Sequence, residues 1–244
     1  MSRRPEMRVA FAGAFAVRLA ERVQAHVEIP CDIVLASETD IVSRLADVDV
    51  LVTLAFTREM GAAATRLKLV QVPGAGLDRI ERAALPAGVL LANAYGHETG
   101  IAEYVIGAML ACTREFCRLD ASLRRGVWES SWAVGVSPPP PWPELAGKTV
   151  GILGYGRIGQ CVARRARAFD MDVQAIRREP ARSAGEEGLA FLGGPDALDS
   201  VLRAADYLVV SLPLTEATRG LLTESRLRQM KPTAIIVNVG RAEI

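Results

Sequence analysis

The chain has 244 residues, enough for one large or two ordinary domains, and half of them are hydrophobic. Its 29 basic and 28 acidic residues leave a formal charge of +1, so composition offers no overall attraction to nucleic acid or an anionic membrane. Four cysteines without a Cys-x-x-Cys pair, and two histidines, argue against a zinc cluster and predict no bound metal.

The N-terminal residues show neither a signal peptide nor a membrane span, and a cytoplasmic protein is expected. Short apolar runs then alternate with helical patterns. Strands are predicted at residues 8–12, 33–36, 48–54, 67–72 and 89–92. Such alternation implies a parallel sheet with helices on its faces.

A long helix is predicted from residue 99 to about residue 118, because apolar residues such as Ile101, Val105 and Met109 recur at helical spacing. Residues 126–143 break this pattern. Four consecutive prolines at their centre cannot join a helix or a central strand, so an ordered arm is predicted there.

The alternation then restarts, with strands predicted at residues 149–153, 173–176, 207–212 and 234–239. The chain is therefore predicted to form two α/β domains, residues 1–95 and residues 96–244. The second domain is expected to have the strand order 3-2-1-4-5.

The sharpest functional signal is the loop Gly154-Tyr155-Gly156-Arg157-Ile158-Gly159, which follows a predicted strand and precedes a helical pattern. In this context Gly154 permits a tight turn, Gly156 lets the backbone approach a pyrophosphate, and Gly159 lets helix and strand pack closely. The helix N-terminus presents N–H groups to the phosphates. The loop predicts a dinucleotide site; a glycine turn without a ligand is the alternative.

The residues after the next strand bear on the choice of dinucleotide. An NAD site places an acidic residue about 20 residues further on, where it binds the ribose 2′-hydroxyl. This chain has Arg177 and Arg178 there, and two guanidinium groups favour a 2′-phosphate. NADP is the predicted cofactor, with NAD as second choice; two solvated surface arginines are the alternative.

Two further strand ends point to the same edge of the sheet, because ligands of open parallel sheets bind beyond the carboxyl ends of strands. Pro213 ends one strand and can wall a nicotinamide pocket. Arg241 follows the last strand, where a cation can grip a carboxylate. A frayed terminal residue is the alternative for Arg241.

Together these residues resemble the D-isomer-specific 2-hydroxyacid dehydrogenase family, in particular its NADP-using glyoxylate and hydroxypyruvate reductase branch. The matching segments, in the family's order and spacing, are residues 72–78, 101–104, 144–159, 210–220 and 230–241. The resemblance implies a flavodoxin-like substrate domain, followed by a Rossmann NAD(P)-binding domain that lacks its last strands.

The resemblance also implies residue roles. Gly74, Ala75 and Gly76 match the loop whose backbone N–H groups hold the substrate carboxylate, as an anion nest of small residues would. Arg241 matches the catalytic arginine, which binds the carboxylate and polarises the keto group. The positions matching cofactor contacts are Gly154, Gly156, Arg157, Ile158, Gly159, Arg177, Arg178, Leu212, Pro213, Thr218, Val239 and Gly240.

The family places an aspartate, a glutamate and a histidine acid/base after the matching arginine, and the sequence given ends at Ile244 before any of them. Low or absent turnover of this chain is therefore expected. His97 is the candidate for a substitute acid, although a loop histidine is more often structural.

Two functions stay open. The first is a homodimeric enzyme that transfers hydride from NADPH to a small 2-keto acid, without nucleic-acid or membrane partners. The second is a non-catalytic NADP-binding protein or corepressor-like sensor on the same fold.

Overall fold

The computed structural model describes residues 7–130, 143–180, 185 and 187–244. The chain folds as two compact units, one ending at Gly96 and one running from His97 to Ile244. The proline run on which an ordered arm is predicted lies outside the described residues. Among the residues described, no helix is long and apolar enough to cross a membrane, and no cluster of His, Cys, Asp or Glu could hold a metal ion.

The first unit is a parallel sheet flanked by helices. Its strands are β1 (Met7–Ala12), β2 (Cys31–Ala36), β3 (Val50–Thr53), β4 (Leu69–Gln71) and β5 (Leu90–Ala92). Its helices are α1 (Ala14–Gln24) and α2 (Arg58–Ala63), with 3-10 segments at Asp40–Asp47 and Arg82–Ala84. The five strands lie in the order β2-β1-β3-β4-β5, which is the flavodoxin-like order that the family resemblance implies.

Alternating side chains of β1 supply both faces of this sheet. Phe11 packs with Ala16 and Ala20 of α1, whereas Ala10 and Ala12 pack into the layer on the opposite face. All of these side chains are buried. A strand segment covered on both faces must be apolar, which is why β1 is apolar from Val9 to Ala12, after Arg8.

The second unit is also a parallel sheet. Its strands are β6 (Thr149–Leu153), β7 (Asp172–Ile176), β8 (Phe191–Gly193), β9 (Tyr207–Val210) and β10 (Ile235–Asn238). Its helices are α3 (Glu98–Thr113), α4 (Phe116–Arg124), α5 (Arg157–Arg167), α6 (Leu198–Ala204) and α7 (Glu224–Leu227). The five strands lie in the order β10-β9-β6-β7-β8, so the predicted order 3-2-1-4-5 is confirmed.

Helices cover both faces of the second sheet. Ile152 of β6 packs with α3 and α5, whereas its neighbour Leu153 packs with α6. β6 has no room for a side chain at Gly151, because a Cβ there would lie 2.8 Å from Cγ1 of Val201. The doubly wound fold predicted for both domains is therefore confirmed.

The prediction of one long helix from residue 99 to about residue 118 was wrong in one respect, because two helices, α3 and α4, occupy this stretch. α3 ends at Thr113, whose hydroxyl bonds the Met109 carbonyl and the Tyr207 hydroxyl, each at 2.7 Å, and so ties the helix end to β9. Glu115 then takes a left-handed conformation with φ 51° before α4 begins. The apolar spacing continues across this break, which is why periodicity misses it.

An aspartate holds the same place in both units, immediately before the strand that pairs with the first strand. Asp49 precedes β3; its carboxylate accepts the Arg8 amide at 3.0 Å and its own amide donates to the Arg8 carbonyl at 2.9 Å. Asp206 precedes β9 and makes the same two bonds to Thr149, at 2.9 and 2.8 Å. Each aspartate therefore extends the ladder between its two strands.

Both carboxyls are held in their ionised form. Burial raises the pKa of Asp206, but hydrogen bonds from Lys231 and the Thr149 amide, with the nearby lysine charges, outweigh it and bring the pKa below its ordinary value. The pKa of Asp49 is lowered in the same way, where burial is outweighed by the Arg8 amide, Lys68 and Arg66. Each ionised carboxylate thus contributes stability above its ordinary pKa, near 4.

We predict that Asp206→Asn lowers the free energy of unfolding of the second unit by about 1–3 kcal/mol at pH 7, because the Lys231 amine and the Thr149 amide lose a charged acceptor. The wild-type contribution should disappear as the pH falls from about 4 through the folded-state pKa, and the variant should lose less stability over that window. Urea unfolding at neutral and acidic pH measures both.

Asp199→Asn is the matched control, because Asp199 forms an ion pair with Arg226 at 3.3 Å near the surface. Its effect should stay within about 0.5 kcal/mol. The prediction is contradicted if the two variants have the same stability and the same acid dependence.

Candidate functional site

A cavity of about 720 Å³ opens in the second unit at the carboxyl ends of β6, β7 and β9. This is the edge at which open parallel sheets bind ligands. The predicted cofactor positions that line it are Gly154, Gly156, Arg177, Arg178, Leu212, Pro213 and Thr218. Seven positions chosen from separate stretches of sequence therefore meet around one space.

Two glycines of the loop are required by close packing. Gly154 has φ +100°, and a Cβ there would lie 2.9 Å from the carbonyl carbon and oxygen of Ser211. A Cβ on Gly159 would lie 2.4 Å from the Gly154 carbonyl oxygen and 3.1 Å from Cγ2 of Ile152. The first turn of α5 therefore lies directly against the loop and β6, with no room for a side chain.

Gly156 has a different environment, because a Cβ there would meet nothing within 4 Å. It is the N-cap of α5, and the first hydrogen bond of the helix runs from Gln160 to Gly156 at 2.9 Å. Arg157 and Ile158 begin the helix beside the cavity. Open space at a helix N-terminus with a positive dipole end suits an anionic group.

The two arginines follow directly on β7. Arg177 is half-buried and Arg178 is exposed, and the Arg177 amide donates to the Gly193 carbonyl at 3.1 Å. That backbone bond fixes the end of β7 against β8. Both arginines therefore follow a rigid strand end, and both line the cavity. Glu179, one residue further on, lines the same cavity.

Tyr155 is a residue of this site for which sequence reasoning predicted no role. Its side chain is buried, and its hydroxyl donates to Glu187 Oε2 at 3.4 Å. Burial and the Glu187 carboxylate raise the pKa of the Tyr155 phenol, while the charges of Arg167 and Arg177 act against that rise. Tyr155 therefore brings a carboxylate close to the arginine side of the cavity.

The loop after β9 is held by its own polar side chains. The Ser211 hydroxyl donates to the Gly154 carbonyl at 2.9 Å, which fastens this loop to the glycine loop. The Thr218 hydroxyl donates to the Pro213 carbonyl at 2.7 Å and accepts the Thr215 amide at 2.8 Å. Thr218 thus shapes the cavity wall, and Ser211 is a second contributor that sequence reasoning did not single out.

The turn after β10 is built by Asn238. Its side-chain oxygen accepts the Gly240 amide and its side-chain nitrogen donates to the Arg241 carbonyl, both at 2.9 Å. Gly240 approaches the preceding loop so closely that a Cβ would lie 2.8 Å from the Leu212 carbonyl oxygen. Val239 is half-buried, and its amide bonds Val210 at 2.9 Å.

Arg241 is exposed, yet it is not at a frayed end. The Ile244 carbonyl accepts the Leu222 amide at 2.8 Å, and the Ile244 side chain is buried in the core beneath α6. The Glu243 carbonyl likewise accepts the Gly220 amide at 2.7 Å. The backbone on both sides of Arg241 is therefore anchored.

The remaining predicted residues lie elsewhere. Gly74, Ala75 and Gly76 are half-buried in the first unit, in the loop after β4, beside the segment that follows β5. His97 is the exposed N-cap of α3.

Comparisons with known proteins agree with this geometry. Residues 106–244 match the model of the D-isomer specific 2-hydroxyacid dehydrogenase NAD binding domain. A glyoxylate reductase of Pyrococcus furiosus is 35% identical over 212 residues, which cover 84% of this chain and 61% of that protein. A D-3-phosphoglycerate dehydrogenase of Mycobacterium tuberculosis is 41% identical over 187 residues, which cover 75% of this chain and 33% of that protein.

A solved structure shows the same similarity in three dimensions. It is a D-isomer specific 2-hydroxyacid dehydrogenase family protein from Aeromonas salmonicida, with a TM-score of 0.79 and 28% identity, covering 98% of this chain and 74% of that one. The chain spans less than two thirds of the length of both curated relatives. The names of those two relatives refer to different substrates, glyoxylate and D-3-phosphoglycerate.

We predict that Gly159→Ala and Gly156→Ala differ sharply in stability. The Cβ added by Gly159→Ala would collide with backbone, which outweighs the higher helix propensity of alanine and should cost about 3 kcal/mol or more. At Gly156 the space is open, so the free energy of unfolding of Gly156→Ala should lie within about 1 kcal/mol of that of the wild type. Chemical denaturation measures both, and equal stabilities would contradict the packing described for α5.

Proposed function

The chain belongs to the D-isomer-specific 2-hydroxyacid dehydrogenase family, and we propose that it binds NADPH and serves the reduction of a small 2-keto acid. The observation that carries this proposal is the presence of Arg177 and Arg178 in the cavity that also contains the glycine loop. When bound, the nicotinamide would supply the hydride, and the protein binds and orients the reactants.

The residues present fit a dinucleotide. A volume of about 720 Å³ lies in the range of small-molecule and cofactor sites. The open space at Gly156 and the start of α5 at Arg157 suit the pyrophosphate, with Ile158 in the same turn. Leu212 and Pro213 supply an apolar wall on the other side.

NADP is favoured over NAD by charge. Arg177 and Arg178 can each donate charge-assisted hydrogen bonds to a 2′-phosphate, which NAD lacks. Glu179 follows the arginines in the same cavity, and a carboxylate is the group that an NAD site offers to the 2′-hydroxyl. NAD is therefore the second cofactor of this proposal.

We propose substrate-binding residues in each of the two units. We infer that the first unit is the substrate domain and that the backbone of Gly74, Ala75 and Gly76 holds the substrate carboxylate. Arg241 of the second unit would bind the carboxylate and polarise the keto group, because a guanidinium stays charged at any physiological pH. Glyoxylate and hydroxypyruvate are the substrates to test first.

A homodimer is proposed from exposed apolar side chains in the second unit. Tyr104, Phe116, Leu123 and Trp128 are all more than half exposed, Trp128 at 67%. Large exposed aromatic residues are typical of protein interfaces. A second copy of the chain is the partner that we propose for this region.

We predict that replacing Arg177 and Arg178 together by Ala weakens NADPH binding by about 2–4 kcal/mol, the loss of one charge-assisted hydrogen bond from each. NADH binding should change little, because it offers no 2′-phosphate. Calorimetric titration of each dinucleotide measures the difference.

The matched control is the double change of Arg124 and Arg228 to Ala, since both are exposed arginines in i,i+4 ion pairs of the same unit, Arg124 at the end of α4 and Arg228 directly after α7. It should leave both affinities unchanged. Wild-type chain that binds NADH as tightly as NADPH would overturn the cofactor preference. A version of the chain with a family-like C-terminal extension that binds NADPH but does not oxidise it with any 2-keto acid would favour the sensor over the reductase.

The dimer prediction is tested by Phe116→Glu, which should shift the protein toward monomer because it places a charge in the proposed contact. Leu90→Glu is its control, because Leu90 is an exposed apolar residue of the first unit. Light scattering after size-exclusion chromatography gives the mass of each. A wild-type mass equal to one chain rules the proposal out.

A further inference from the structure

The loop after β4 is held from one side by the segment after β5. The Gly74 carbonyl accepts a hydrogen bond from the Ala94 amide at 3.0 Å. The Ala75 carbonyl accepts one from Nδ2 of Asn93 at 2.9 Å. Two successive carbonyls therefore point toward the same neighbouring segment.

These two bonds fix the direction of the next two amides. In a trans peptide the C=O and the following N–H point in opposite directions. Because the Gly74 carbonyl points toward the segment after β5, the Ala75 N–H points away from it. The Gly76 N–H points away from that segment for the same reason, since it shares a peptide with the Ala75 carbonyl. Neither amide donates a hydrogen bond to another residue that the structure describes. Adjacent N–H groups turned to one side form a cradle for an anion.

We propose that Asn93 is a positioning residue for this cradle, because its side-chain amide turns the Ala75–Gly76 peptide so that the Gly76 N–H can bind a carboxylate oxygen of a 2-keto acid. The inference rests on the proposed function of the loop and adds the residue that orients one of its two donors. The same Asn93 nitrogen lies 3.3 Å from the Tyr95 hydroxyl, to which it also donates.

The two donors of the cradle depend on different bonds. The Ala75 N–H is oriented by a backbone bond from Ala94, which a side-chain substitution at Asn93 leaves in place. Among the described residues, the one hydrogen bond to the Ala75 carbonyl, which orients the Gly76 N–H, comes from the Asn93 side chain. A loss confined to Gly76 is therefore the signature of positioning, and a general loosening of the loop would affect both amides.

Gln71 offers a matched control at the end of β4. Its Nε2 donates to the Val72 carbonyl at 3.0 Å, so it is also a side-chain amide on a backbone carbonyl beside the loop. That carbonyl belongs to the peptide bond with Pro73, which has no N–H. Removing the Gln71 amide takes away a comparable hydrogen bond without redirecting a donor.

The test is a titration of the ¹⁵N-labelled full chain with sodium oxalate, a carboxylate probe that cannot be reduced by hydride from NADPH. In wild type the amide signals of Ala75 and Gly76 should both shift and saturate. In Asn93→Ala the oxalate dissociation constant should rise about tenfold, the loss expected for one charge-assisted hydrogen bond, and the Gly76 shift should vanish while the Ala75 shift remains. Gln71→Ala should bind oxalate like wild type.

Asn93→Asp is the second variant, close to asparagine in shape but without the donor, and it should lose the Gly76 response as Asn93→Ala does. Wild-type affinity with a normal Gly76 shift in either variant overturns the positioning role and leaves the proposed carboxylate loop standing. An equal loss in Gln71→Ala overturns it too, because general loosening would then explain the effect. Wild-type signals that ignore oxalate overturn both the role and the loop's proposed function.

Discussion

The contact between Gly159 and the Gly154 carbonyl is the constraint on which the second unit depends. It brings the first turn of α5 against the end of β6, at a separation that excludes even a methyl group. The helix N-terminus is thereby set at the edge of the sheet, where the Ser211 hydroxyl ties in the loop from β9. A cavity with two arginines on one side and a positive helix end on the other follows from that packing.

The two units solve the problem of sheet registry in the same way. Asp49 and Asp206 each join the strand that follows them to the first strand of their sheet, through a carboxylate and an amide. Each carboxylate also forms an ion pair with a lysine, Asp49 with Lys68 in the first unit and Asp206 with Lys231 in the second. Asp49 is buried and Asp206 is half-buried, and removing a carboxylate from water is costly unless it is hydrogen-bonded and paired. Each carboxylate lies at the amino end of its sheet.

Much of this architecture could be predicted from the sequence. Apolar runs located nine of the ten strands found among the described residues, and glycine spacing located a loop that lines the cavity. β8 was missed because three residues, Phe191–Gly193, carry no periodicity. The helix break at Glu115 was missed because a backbone conformation there, rather than an apolar pattern, ends α3.

The finer parts of the site had no sequence signal at all. Asn93 and Ala75 are 18 residues apart, and Ser211 and Gly154 are 57 apart, so no local pattern marks their bonds. Such contacts become visible only when the strand order brings their loops together. Gly-rich motifs indicate where a ligand can approach, whereas the side chains that orient the backbone come from other strands.

The bond from Ala94 to Gly74 also bears on the chemical ageing of the protein. Asparagine deamidates when the backbone nitrogen of the following residue attacks its side-chain carbonyl and closes a succinimide ring. For Asn93 that nitrogen is the Ala94 amide, which is engaged with Gly74 at 3.0 Å. The ring cannot close until this bond opens, so the fold that orients the loop also protects the asparagine from conversion to an acid.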